Sequence, residues 1–311
     1  MRLGQSEIDE YLEFVRARAR RNTLLAVAYD LLVFFTVVSK DPGDVTPRDV
    51  LVFLKAQRAP RRRRGVVRLE DGEAGLSSRT IKRRLSSLSG LLEDLRVHGE
   101  GTVKDHPVPG GLGTRGSSAH RRVPLIRTPR TVPRVLSPAD VDTFLSALRT
   151  ARDRAMVEAM LLGGLRRCEV LRLEFQDVRA GERRLFIADG KGGHQRLVPV
   201  SQRFFATLAT YLEHERPTSK QTRVFLVMTG PHRGEPLSPA GLDEIIRGAS
   251  RRSKVPVTCH QFRHTCLTRL REAGMALEAV QAQAGHRSIE SARIYLHLAN
   301  ERHLRFPATW P

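Results

Sequence analysis

The 311-residue chain is 40% hydrophobic, enough for the cores of two domains of ordinary size, and its 53 basic against 33 acidic residues leave a formal charge of +20. Only seven of those basic residues are lysines, so the excess is arginine, and it points to a polyanionic partner. Cys168, Cys259 and Cys266 are odd in number and form no C-x-x-C pair, which excludes a disulfide framework and a cysteine zinc site and leaves reduced, mostly buried thiols.

The N-terminal "MRLGQSEIDEYLEFVRARARR" is charged throughout and lacks the apolar centre of a signal peptide, so a cytoplasmic protein without a membrane partner is expected. From residue 5 to about 97 apolar residues recur at helical spacing in four stretches, which predicts a four-helix unit. The run "TLLAVAYDLLVFFTVV" at 23–38 is shorter than the roughly 20 residues needed to span a bilayer and carries Asp30, so it reads as a buried helix. Thr46 with Pro47, and Ser78 ahead of Thr80, are helix starts by capping chemistry. A polar, glycine-containing insertion at 59–76 separates the third helix from the fourth.

Residues 99–134 are rich in glycine, proline and arginine, the composition of a linker. The expected organisation is therefore a helical domain at 1–105, a basic linker at 106–134 and a second domain at 135–311. In the second domain the patterning predicts helices at 138–149, 151–162 and 168–174 and short strands at 183–188 and 196–200. Helices at about 239–252, 260–272, 277–284 and 288–304 follow. The fold class is mainly α with a small antiparallel β-sheet.

Two motifs mislead. "GLGTRG" at 111–116 satisfies G-x-G-x-x-G but has proline and polar loop where a dinucleotide fold needs a strand and a helix, so it is linker. "CHQFRHTC" at 259–266 puts His260 and His264 four apart on one helix face, a zinc-compatible spacing. It lacks the glutamate of H-E-x-x-H, and Arg263 would set a fixed cation beside the metal; no metal and no cofactor are expected.

Four other stretches gain meaning only together. "GGLRRCEVLRLEF" (163–175) puts Arg166 at a turn between helices and Glu169 in the first turn of the next. "FIADGKGGHQRLVPV" (186–200) carries Lys191 at the tip of a glycine-rich hairpin, and lysine, unlike arginine, can give up a proton near neutrality. "HQFRH" sets His260 and Arg263 three apart on one helix face. "GHRSIESARIYLHL" (285–298) sets His286 nine residues ahead of Tyr295.

Each stretch alone reads as an ordinary surface feature. In order, the six residues supply what transfer of a DNA phosphodiester needs without a metal. Two arginines clamp the non-bridging oxygens, a lysine or histidine protonates the leaving oxygen, and a tyrosine attacks.

These four boxes resemble those of the tyrosine recombinase (phage integrase-type site-specific recombinase) family: its first arginine box, lysine hairpin, H-x-x-R helix and histidine-to-tyrosine segment. The resemblance covers about 135–300, and a looser one links 5–97 to the family's helical core-binding domain. It implies a helical core DNA-binding domain followed by a catalytic domain acting on double-stranded DNA as a homotetramer on two sites, and it leaves open a helper or partner recombinase.

Residue by residue, it implies Tyr295 as the nucleophile forming a 3′-phosphotyrosyl bond and Arg166 and Arg263 as the phosphate clamp. Lys191 is implied as general acid, His260 as general base, His286 as a phosphate donor and Glu169 as a support. Arg167, Cys168 and Gly163 depart from the family's commoner residues without touching a reacting position. No further domain precedes the helical one, which disfavours integrases that bind distant arm sites. A type IB topoisomerase-like strand transferase and a non-catalytic DNA-binding relative are the alternatives; the first would usually carry lysine at position 260, and the second would have lost a reacting residue.

Overall fold

The computed structural model describes residues 2–59, 75–98, 106–108, 126, 134–188 and 195–285. The chain divides into two compact units, Met1–Arg130 and Thr131–Pro311.

The first unit is built on four helices: α1 (Ser6–Arg18), α2 (Arg21–Val38), α3 (Pro47–Arg58) and α4 (Ser78–His98). α2 packs against the other three. Its inward face, Ala28, Leu31 and Phe34, joins Ile8, Leu12, Phe53, Leu88 and Leu92 in one core. The expectation of a wholly buried α2 is corrected, because Leu25, Tyr29, Leu32 and Val37 lie on its outer side at 37–55% exposure. Part of the stretch expected as linker packs on this unit too: the His106 ring bonds the Ser89 carbonyl (3.2 Å), and Ile126 is buried in the core.

Asp30 lies inside this unit. Its carboxylate, fully buried, pairs with Arg83 at 2.6 Å and Arg84 at 3.6 Å, and accepts from the Ser87 hydroxyl at 3.0 Å. Arg84, itself buried, also donates to Gln57 of α3. Helix α2 is long and apolar enough by composition to cross a membrane, but this charged centre tethers it to α3 and α4 of a helical core.

The second unit is arranged around α6 (Ala151–Leu162), whose residues Ala155–Leu161 are all buried. Such a helix, apolar nearly all round, needs partners on every side. It packs against α8 (Gln202–Thr210), α10 (Cys259–Glu272) and the short α7 (Arg167–Arg172). Around these lie α5 (Pro138–Ser146), α9 (Pro239–Ser253) and α11 (Leu277–Ala284).

Side-chain caps start the helices where the sequence implied: the Ser137 hydroxyl accepts from the Asp140 N–H, and Thr150 from that of Asp153. The sheet is antiparallel in the order β1-β2-β3, with β1 (Val178–Arg179), β2 (Arg184–Ile187) and β3 (Arg196–Pro199). Its last pair is Ile187 opposite Arg196. Sequence patterning had passed over α8 and the two-residue β1. Cys168 is exposed, against the expectation of mostly buried thiols, while Cys259 is half-buried and Cys266 buried.

Removing one member of a buried charge group leaves the others without a counter-ion, at a cost of about 3–5 kcal/mol. Asp30→Ala is expected to lower the stability of the first unit by that amount, read as an earlier urea transition of the intact chain. An unchanged midpoint would mean that Arg83 and Arg84 reach solvent without the carboxylate.

Candidate active site

The turn between α6 and α7 brings the first arginine into place. Gly164 there has φ +68°, a conformation natural to glycine, and a Cβ on it would come 3.3 Å from the Leu267 side chain of α10. The close approach puts the Gly164 carbonyl against α10, where Arg263 donates to it. Two residues on, Arg166 is the N-cap of α7, and its backbone N–H donates to Glu169 at 2.8 Å.

The Arg166 side chain makes two further bonds, Nη1 to Glu169 Oε1 at 2.8 Å and Nη2 to the Gly285 carbonyl at 3.1 Å. Arg263, 2% exposed, donates through Nη2 to the Ala284 carbonyl at 2.6 Å. A third arginine, Arg196 of β3, donates through Nε to the Gln283 carbonyl at 3.1 Å. Three successive carbonyls at the end of α11 thus each hold one guanidinium.

Arg196 also grips Glu169 with both ends of its fork, at 3.1 and 2.8 Å. With Arg166, it fills all four acceptor positions of a carboxylate that is 1% exposed. Burial alone would raise the Glu169 pKa, but the bonds and charge of Arg196, joined by the hydrogen bonds of Arg166, outweigh it and hold the carboxyl below its ordinary range.

α10 opens with a capping box in which Gln261 Oε1 accepts from the Thr258 N–H at 2.8 Å. The box fixes the first turn, so His260 lies at the exposed mouth of the helix and Arg263 one turn deeper, where it is buried. Lost hydration on the packed side of the ring, then the charges of Arg263 and Arg166, lower the His260 pKa. His264 stacks edge-on against it, centroids 4.3 Å apart, and burial with the charges of His260 and Arg263 takes its pKa down to about 4. Among the described residues, no group of three or more His, Cys, Asp or Glu is placed to hold a metal ion.

Of the six residues singled out in the sequence, Arg166, His260 and Arg263 are brought together here. Lys191, His286 and Tyr295 lie outside the described residues. Chain connectivity still bears on two of them: Lys191 lies in sequence between β2 and β3, and His286 follows Gly285 directly. Arg196 is the residue that sequence reasoning missed, since nothing in its neighbours separates it from the other arginines. Arg167, a departure from the family pattern, pairs with Asp243 of α9.

Comparison with known proteins bears on the whole chain. The family model described as "Phage integrase family" matches residues 134–302. Tyrosine recombinase XerD of Listeria innocua is 28% identical over 317 residues, covering 95% of each chain. Tyrosine recombinase XerC 2 of Ralstonia nicotianae is 34% identical over 192 residues, 58% of this chain and 54% of that one. Among solved structures, XerH recombinase bound to a palindromic difH substrate in a post-cleavage complex has a TM-score of 0.66 at 20% identity, covering 96% of this chain and 83% of the other.

The lambda integrase tetramer bound to a Holliday junction has a TM-score of 0.67 at 18% identity, covering 93% and 76%. Both structures share the fold of two units, a helical one followed by a helical one with a small sheet. The chain belongs to the phage integrase family and is a tyrosine site-specific recombinase, an enzyme that breaks and rejoins DNA.

Proposed function

We propose that Tyr295 attacks the scissile phosphate, forms a 3′-phosphotyrosyl bond and releases a 5′-hydroxyl, with Arg166 and Arg263 as the clamp on the non-bridging oxygens. The observation that carries this reading is the convergence of Arg166 and Arg263 on the end of α11, one residue ahead of His286, with His260 close enough to feel both charges. A guanidinium has five N–H donors, and the bonds of Arg166 to Glu169 and Gly285 use two of them. Held on one edge, it can present the other to a phosphate.

The remaining tyrosines favour Tyr295 as the nucleophile. Tyr11 is buried in the first unit, and burial raises the pKa of its phenol. Tyr211 donates its hydroxyl to Val224 O and accepts from the Leu226 N–H, buried in the second. Tyr29 sits on the outer face of α2. Tyr295→Phe is expected to bind its DNA site normally and to form no covalent adduct, read on a denaturing gel; an adduct from the variant would require another nucleophile.

His260 is the base for that phenol. Because its pKa is lowered, the neutral, proton-accepting imidazole prevails at neutral pH. Adduct formation should therefore be flat through pH 7 and fall only as the medium is acidified below the ordinary histidine value of about 6.5. His260→Gln should be slower and lack that acid limb. A limb that persists in the variant assigns it to another group.

Lys191 is the acid for the 5′-oxygen, and His286 holds the phosphate. A 5′-alkoxide needs a proton to leave, whereas a 5′-sulfur leaves as a thiolate with little help. Lys191→Ala is expected to be slow on ordinary DNA and near wild-type on a 5′-bridging phosphorothiolate. If instead His260→Ala is the variant rescued by sulfur, histidine is the acid.

Double-stranded DNA is the partner, and the +20 charge suits its polyanionic surface. Because the reaction exchanges four strands, four copies of the chain assemble on two DNA sites, a reading supported by likeness of fold to the lambda integrase tetramer. The enzyme works where that DNA is, in the cytoplasm, in integration, excision, transposition or dimer resolution.

A further inference from the structure

We infer that Arg196 is a positioning residue for cleavage: by fixing Glu169 it sets the direction in which Arg166 meets the phosphate. The inference rests on the proposed clamp role of Arg166. Three observations support it.

The first is saturation. Glu169 has two oxygens and four donors, two from Arg166 and two from Arg196. If Arg196 were lost, a carboxylate that is 1% exposed would keep Arg166 as its remaining cation among these bonds. A buried charge draws its surviving partner harder, so the Arg166 fork would turn toward Glu169 and away from a ligand.

The second is the shape of the contact. Arg196 touches Glu169 by both Nη atoms and Gln283 O by Nε, so one planar group locks the first turn of α7 to the end of α11. Arg166 bridges from the same carboxylate to a carbonyl two residues farther along, from Glu169 to Gly285 O. Gly285, at φ +58°, lies against Arg196: a Cβ there would meet its Nη1 at 2.9 Å and its Cζ at 3.1 Å. The carbonyl that orients Arg166 is thus shaped by the room left for Arg196.

The third is burial. The Arg196 side chain is 10% exposed and that of Arg166 is 18% exposed. Of the two guanidiniums that share Glu169, that of Arg166 therefore keeps more open surface than that of Arg196.

The test separates positioning from mere folding and from failure of the clamp itself. A methylphosphonate at the scissile position replaces a charged non-bridging oxygen with methyl, so the linkage has less need of a cationic clamp. Arg196→Met is expected to bind the DNA site as the wild type does and to form adduct about 10²-fold more slowly on phosphodiester, the scale of a small misplacement of a catalytic group. On the methylphosphonate, most of that deficit should vanish.

Arg196→Lys retains a charge beside Glu169, so it should keep the thermal midpoint. It should still be slow on phosphodiester, because an ammonium cannot span both oxygens and the Gln283 carbonyl. A wild-type rate from Arg196→Lys, or equal deficits of Arg196→Met on both substrates while Arg166→Ala is relieved by methylphosphonate, overturns the inference alone. If Arg166→Ala is not relieved either, the clamp reading falls and takes the inference with it.

Discussion

The last turn of α11 governs the rest of the second unit. A helix ends with carbonyls that have no N–H of their own helix to bond, and the aligned peptide dipoles make that end negative. Here the carbonyls of Gln283, Ala284 and Gly285 each accept from a different guanidinium, carried by β3, α10 and the start of α7. Three like charges brought so close would repel, and the carbonyls together with the Glu169 carboxylate offset that repulsion. The arginines are consequently oriented before any phosphate is present, and little reorganisation is left for the reacting complex.

The same economy runs through the whole chain and changes the meaning of its charge. Arg84 is spent on Asp30 and Gln57 inside the first unit. In the second, Arg152 binds Asp153 and the Leu226 carbonyl, and Arg203 binds the fully buried Glu158. Arg84 and Arg152, buried in these pairings, add little to a surface for DNA. Part of the arginine content is therefore an internal tie, and the +20 is what remains after basic and acidic residues cancel.

How much of this was legible in the sequence depended on the span of the interaction. Arg166 with Glu169, and His260 with Arg263, sit three apart, and helical geometry translates that spacing into a shared face or a capped turn. The helix start at Thr46 and Pro47 was readable for the same local reason. Arg196 meets Glu169 across 27 residues, and its pairing exists only once β3 has docked on α11. The buried side of α2 was overestimated because its apolar residues encircle the helix, and composition does not tell which arc will find partners. Asp30 marked the inner side, but only the arginines of α4, more than fifty residues away, reveal it.

One electrostatic arrangement then serves two steps of the chemistry. Burial, then the charges of Arg263 and Arg166 that the proposed mechanism directs at a phosphate, lower the His260 pKa and favour its neutral imidazole. A phenol entering the same positive field ionises more readily, because its anion is stabilised where the imidazolium is not. The proton is thus drawn from the acid and discouraged from resting on the base. Arginine suits this role better than lysine, since a guanidinium keeps its charge at any pH the enzyme meets and the field does not weaken as the proton moves. The general-acid task proposed for Lys191 is the complementary one, since that group has to part with a proton and lysine can.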